Sequence, residues 1–281
     1  MTQVIPLAEP LLPPECADAV GEVVRSTFIG PGKRTSTFEV SLARVCGTEA
    51  AVTTVSGTVA LGVAARALGL TPGDTVLIPA YGVISVPNGF AAEGFQVLPV
   101  DVDLATATMD ARALDAALDS VSGRCAVCMV DFSGYVGPAL EEIRSVAHRR
   151  GVPVIEDAAC ALGSVAGSLR AGSLADVATT SFSVPKVVTT GQGGAILGSR
   201  SVVDRARAWV DQGDLEWRST GLNQGVGTNL RFTDLQAALG QPQVDALSER
   251  LDRRRRVHTA LRSVLGSALW GVPGDTPPLH N

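Results

Sequence analysis

A lysine set among apolar residues is the first feature of this sequence that could do chemistry. Lys186 follows Val184-Pro185 and precedes Val187-Val188. Burying an ammonium is costly. Desolvation lowers a lysine's pKa and frees its amine to form a Schiff base with a carbonyl. The run Ser181–Lys186 leaves an apolar strand pattern, and Gly191-Gln192-Gly193-Gly194 lets the next strand start tightly. The bland alternative is a surface lysine whose stem lies along apolar surface.

Three other segments could share a site with it. Ser56-Gly57-Thr58 stands between a strand pattern and a helix pattern. Unpaired N–H groups at the helix start, with the Thr58 hydroxyl, would bind an anion, and Gly57 would allow close backbone approach. The same triplet could be a plain helix cap. Glu156-Asp157 follows the apolar run Val152–Ile155, so an acid points from a strand end into the crevice. Asp157 could pair with a protonated ring nitrogen; a cap or structural ion pair is the alternative. Gly227–Asp234 reads as a loop leading into a helix capped by Thr233 or Asp234.

Elements must bring these segments together. Strand patterns fall at Ala51–Val55, Thr75–Pro79, Phe95–Val100, Cys125–Val130, Val152–Ile155, Ala178–Ser183 and Gly194–Leu197. Helical patterns between them cover Gly57–Leu70, Ala111–Leu118 and Pro138–Arg150. This βαβ rhythm predicts an α/β fold, a mostly parallel sheet with helices on both faces. In such sheets ligands bind at the carboxyl ends of the strands. After residue 200 the chain turns helical, with one long helix expected from Thr233 to about Leu265 and a linker-like tail beyond.

Bulk properties narrow the function classes. The 281 residues suffice for one large domain, with aromatics only 4% and a core of Ala, Val and Leu. Net charge of −5 gives no reason to expect nucleic acid, and Arg253–Arg256 reads as a solvated helix face. Cys125 and Cys128 lie in one strand pattern and point to opposite faces, so this C-x-x-C is read as neither a redox nor a zinc motif. His148, His258 and His280 form no metal cluster, and no metal is expected. Gly30-Pro31-Gly32 lacks the strand and third glycine of a dinucleotide fingerprint. Uncharged stretches are broken by Gly, Pro, Ser and Thr, so no membrane span is read and a cytoplasmic protein is expected.

Taken in order, these segments resemble the DegT/DnrJ/StrS family of sugar aminotransferases. The resemblance runs from about Ile5 to Arg255. It includes Phe28–Gly32 with Phe38-Glu39, Ser56–Leu61, Pro72–Val76, Val100–Asp103, Glu156–Ala159, Ser181–Gly194, and Asn229–Phe232 with Asp234–Gly240. It implies the fold-type-I large domain, a mixed sheet flanked by helices, and pyridoxal 5′-phosphate as cofactor. It implies that Lys186 holds the cofactor and moves a proton, and that Asp157 holds the ring N–H so that the ring acts as electron sink. Gly57, Thr58, Val59 and Ser181 would take the phosphate. Asn229 would reach the phosphate of a second subunit, which implies a homodimer with active sites at the interface. The family reaction moves an amino group, usually from glutamate, to a keto-sugar nucleotide.

Some positions depart from the family pattern. Cys160 stands where a glutamine contacts the ring hydroxyl, and Gly82-Val83 stand where Thr and a ring-stacking aromatic are usual. Val187 replaces a frequent Asn, and Asp131-Phe132-Ser133-Gly134 replaces a His-x-Tyr-Gly-like segment. Tyr81 is a candidate substitute for the stacking ring. A large domain over residues 1–240 is expected, with 241–281 as a long helix and the start of a small domain otherwise largely absent. Two alternatives accompany the aminotransferase reading: another pyridoxal-phosphate reaction on a small specialised metabolite, and a non-catalytic family member.

Overall fold

The computed structural model describes residues 9–213, 217–223 and 225–265. The linker-like tail predicted after residue 265 lies outside them. The chain begins with helices α1 (Glu15–Ser26) and α2 (Lys33–Cys46). Strand β1 (Ala50–Thr54), α3 (Gly57–Ala67), β2 (Thr75–Pro79), α4 (Ser85–Ala91), β3 (Gln96–Val100), α5 (Ala111–Leu118), β4 (Cys125–Val130), α6 (Pro138–Arg149) and β5 (Val154–Asp157) follow. A short hairpin, β6 (Val165–Ala166) with β7 (Leu169–Arg170), leads to β8 (Val177–Ser181) and β9 (Gly194–Gly198). Helices α7 (Arg200–Val210), α8 (Trp217–Thr220), α9 (Asp234–Asp245) and α10 (Leu247–Leu265) complete the described chain.

Seven strands form one sheet in the order β3-β2-β4-β5-β8-β9-β1. The β2–β3, β2–β4, β4–β5 and β5–β8 pairs are parallel, while β9 runs antiparallel to both β8 and β1. The predicted mixed, mostly parallel sheet is therefore present. Its antiparallel edge is β9, which pairs with Ser181 of β8 at Gly194 after the loop over 182–193 that carries Lys186.

Two layers of helices bury the sheet. Helices α3 and α7 cover Val52, Ile78, Cys128, Ile155 and Ile196 on one face. The other face is covered by α5 and α6 over Val127, Met129 and Val154, and by α2 and α9 over Ala51, Ala178 and Leu197. Small side chains dominate α3, where Ala60, Ala64 and Ala65 are fully buried. Larger residues at these positions would hold the helix off the sheet. Cys125 and Cys128 do fall on opposite faces.

Two expectations need correction. The predicted strand Val152–Ile155 is shifted, and β5 itself carries Glu156 and Asp157. Hydrogen bonds from β4 and β8 extend the ladder over both acids, which a reading by hydropathy stops short of. The single helix expected from Thr233 to about Leu265 is two helices, broken at Ala246. The break turns Leu247 and Leu251 into the core against Gly163, where even a methyl group would lie 2.7 Å from Leu251 Cδ1.

Candidate active site

The site lies at the carboxyl ends of β5 and β8, beside the start of α3. Register decides which side chains share it. Asp157 lies opposite Thr179 on β8, and Ser181 is two residues further on, so all three face the same way. Cys128 and Ile155 mark that face as the α3 side. Helix α3 begins against Ser181: a Cβ placed on Gly57 would lie 2.8 Å from Ser181 Cβ and 3.1 Å from its Oγ. Glycine is therefore required by close approach. Gly194 is required for the same reason, since its Cβ would meet Gly57 N at 2.5 Å.

Ser56 caps α3, its Oγ accepting the Val59 N–H at 3.2 Å. The triplet is thus both a cap and a candidate anion site. Val59, expected among the anion donors, has its N–H engaged by the cap. Gly57 and Thr58 N–H lie in the first turn, where no carbonyl of the helix can reach them.

Lys186 leaves the loop after β8 half-buried, and its Nζ lies 3.0 Å from Cys160 Sγ. Cys160 follows β5 by three residues, so lysine and thiol meet above the acid. Asp157 is buried, and its Oδ1 accepts the Ala159 N–H at 3.0 Å. Burial pushes its carboxyl above the usual range, while the Ala159 N–H and the charge of Lys186 pull it back. An acid held this way gains strongly from any cationic N–H that comes into reach.

The remaining predicted positions lie on other segments. Tyr81, Val83 and Ile84 are exposed at the turn after β2, and Tyr81 packs against Phe132 at 5.0 Å between ring centroids. Asn229 is exposed, bridged to Asp211 on the strand-like stretch before α9. Thr233, not Asp234, caps α9, in a reciprocal pair with Gln236. Asp234 instead caps α2, accepting the Arg34 and Thr35 N–H groups.

Sequence reasoning missed the role of Glu156. Its two oxygens accept Gly172 N–H at 2.6 Å and Leu174 N–H at 2.7 Å, tying β5 to the turn before β8. It assigned no role to Glu39, whose Oε1 accepts Thr53 N–H and whose Oε2 pairs with Arg207 at 2.8 Å. That acid lines a polar cavity with Thr35, Arg207, Asp211 and Arg231, whose charges are already matched in pairs. Acids inside helix and strand patterns gave the only signal. Among the described residues no group of His, Cys, Asp and Glu could hold a metal ion, and no helix is long and apolar enough to cross a membrane.

Known proteins match this arrangement along nearly the whole chain. The model of the DegT/DnrJ/EryC1/StrS aminotransferase family matches residues 12–280. The dTDP-4-dehydro-2,3,6-trideoxy-D-glucose 4-aminotransferase of Saccharopolyspora spinosa is 32% identical over 98% of this chain and 73% of its own length. A putative pyridoxal phosphate-dependent aminotransferase of Bacillus subtilis, EpsN, is 30% identical over 88% of this chain, which spans 65% of that protein. The crystal structure of the aminotransferase TlmJ from Streptoalloteichus hindustanus superposes with a TM-score of 0.84 at 31% identity, covering 95% of this chain and 72% of that one. The chain belongs to the DegT/DnrJ/EryC1/StrS aminotransferases, a fold-type-I family whose cofactor is pyridoxal 5′-phosphate.

Proposed function

We propose that this chain transfers an amino group from an amino acid, glutamate in the first instance, to a keto-sugar nucleotide or a related cyclic ketone. The observation that carries the reading is the convergence of an amine, a buried acid and a helix start. Lys186, Asp157 and Gly57-Thr58 come together where β5, β8 and α3 meet. These residues fit pyridoxal phosphate. Ser181 packs where a side chain on Gly57 would stand, and the Gly57 and Thr58 N–H groups at this helix start have no helical carbonyl to meet, as a phosphate site requires. Asp157 is buried and raised in pKa, so a ring N–H is its natural complement.

Each residue then has a definite task. Gly57 and Thr58 N–H donate to the phosphate, helped by the positive end of α3 and by Ser181 Oγ. Asp157 accepts the ring N–H and keeps it charged. When bound, the cofactor supplies an electron-withdrawing ring that stabilises negative charge on the substrate carbon beside the transferred nitrogen. Lys186 would hold the cofactor, and its Nζ would take and return the proton at that carbon. Cys160 Sγ, within 3.0 Å of Nζ, fixes where the amine rests.

The acceptor class rests on the Saccharopolyspora relative, which by name acts on a nucleotide-linked keto-sugar. A homodimer is part of the proposal. Exposed Phe28, Ile29, Val83 and Ile84, with exposed Asn229, offer apolar surface that a second copy would cover. Purified protein given pyridoxal phosphate should absorb at the visible edge, and borohydride should fix the cofactor to the peptide containing Lys186. Glutamate should then shift the spectrum to the pyridoxamine form, and a keto-sugar nucleotide should shift it back. No bound cofactor would sink the assignment; binding without the glutamate shift would favour another reaction at the same site.

A further inference from the structure

Behind Asp157 the sheet holds two more acids that the proposed reaction does not use. Asp131 is 1% exposed and Glu156 is 0% exposed. Met129 lies opposite Glu156 in the β4–β5 register, and Asp131 is two residues beyond Met129. Asp131 and Glu156 therefore project to one face, and Asp157 to the other. Asp131 N–H donates to Asp157 O at 3.1 Å, which locks the strand ends together.

Donors are distributed unequally over this pair. Both Glu156 oxygens receive backbone N–H groups, from Gly172 and Leu174. Neither Asp131 oxygen receives a hydrogen bond from any N–H or O–H donor among the described residues. The carboxyl of Asp131 meets that of Glu156, and two carboxyls can bond only when one of them holds a proton. An ionised Asp131 here would be a buried charge without a partner, which is among the costliest states a side chain can adopt.

We propose that Asp131 is a positioning residue: it holds a proton at neutral pH and donates it to Glu156, so that this pair carries one negative charge beneath Asp157. The proton resides on Asp131 because Glu156 has the N–H donors that favour its ionised form. Burial pushes Asp131 well above the ordinary carboxyl range, and the charges of Glu156, Asp157 and Cys160 add to it. The other titratable groups that act on the pair are Cys46 on α2, which packs on the same side, and Cys128 on β4, which points to the opposite α3 face, both thiols raised by burial; Arg170 acts on Cys46. No cation among these partners pairs with Asp131 itself. The consequence reaches the site through charge. With one negative charge behind it, Asp157 can ionise to meet a ring N–H; with two, its ionisation is opposed.

This inference rests on Asp157 as the cofactor's partner, but the proton can be read without the cofactor. Infrared spectra of the holoenzyme and of cofactor-stripped protein, grown with and without carboxyl-13C aspartate, should contain an isotope-sensitive protonated-carboxyl band at pH 7. Asp131→Asn should remove it and still donate to Glu156. The sign of the pH dependence follows from the raised pKa: stability from the protonated form is full below the unfolded pKa and is lost as pH rises through the folded value. Wild-type urea midpoints should thus fall toward alkaline pH, and Asp131→Asn should lose that alkaline decline. Cofactor affinity should weaken in the same alkaline range in wild type but not in Asp131→Asn. Absence of the band from wild-type protein at pH 7 would overturn the proposal whether or not the variant folds. A band as intense in Asp131→Asn as in wild type would also overturn it, whereas a band without cofactor binding would fail only the cofactor reading.

Discussion

Replacing Gly57 by alanine tests the closest contact in the site. The added Cβ would stand 2.8 Å from Ser181 Cβ, 3.1 Å from Oγ and 3.3 Å from Cα. Non-bonded carbons settle at about 3.5–4.0 Å, so strand and helix start must separate by several tenths of an ångström. Overpacking of this kind costs about 1–3 kcal/mol. The better helix propensity of alanine returns at most about 1 kcal/mol. A net loss of about 1–2 kcal/mol is expected in urea unfolding of cofactor-free protein. The displaced N–H groups also lose an anion. One hydrogen bond to a charged group contributes about 1.5–3 kcal/mol, so pyridoxal-phosphate affinity should fall roughly 10- to 100-fold. Spectroscopic titration measures it. Ser181→Gly in the same chain removes Cβ and Oγ and should restore most of the loss relative to the Ser181→Gly single variant. Ser181→Ala keeps Cβ and should not. Wild-type affinity and midpoint in Gly57→Ala, or equal rescue by both Ser181 variants, would refute the contact.

Asp157→Asn should split stability from binding. Burial raises the Asp157 carboxyl, so its neutral form stabilises the fold at low pH and that contribution is lost as pH rises through the folded value. The amide stays neutral throughout; cofactor-free variant should therefore unfold at higher urea than wild type at pH 8, with little difference at acid pH, while binding pyridoxal phosphate more weakly. A destabilised variant at pH 8 would contradict this. Phe38 is fully buried, stacked on Phe232 at 5.8 Å and edge-on to Phe182 at 5.3 Å, where it joins α2 to the loop carrying Lys186. Phe38→Ala should cost about 3–5 kcal/mol by urea unfolding, and a loss under about 1 kcal/mol would remove this cluster from the account.

Much of the fold could be read residue by residue. Thr75–Pro79, Ala111–Leu118 and Cys125–Val130 are strands or helices at the bounds their hydrophobic patterns predict. Pattern and turn residues are local properties, and local backbone preference follows from them. The same reading placed Lys186, Asp157 and Ser56-Gly57-Thr58 at strand ends, because acids, glycines and lysines interrupt apolar runs where strands stop. It did not find that β5 continues through Asp157, that the helix after Thr233 breaks at Ala246, or that Asp234 caps α2 from almost two hundred residues away. Those outcomes depend on partners remote in sequence: the ladders of β4 and β8, the space beside Gly163, and the open first turn of α2.

The sequence by itself determined the chemistry available to this protein: one amine in apolar company, an acid at a strand end, and a glycine at a helix start. Only the tertiary structure decided how those groups are tuned. Parallel register sends Asp157 to the α3 face and sends Glu156 and Asp131 to the other. It also brings Cys160 to Lys186 and Ser181 to Gly57. The physical reason is that charge and contact act through space at a few ångströms, whereas sequence fixes only the order in which the groups are strung.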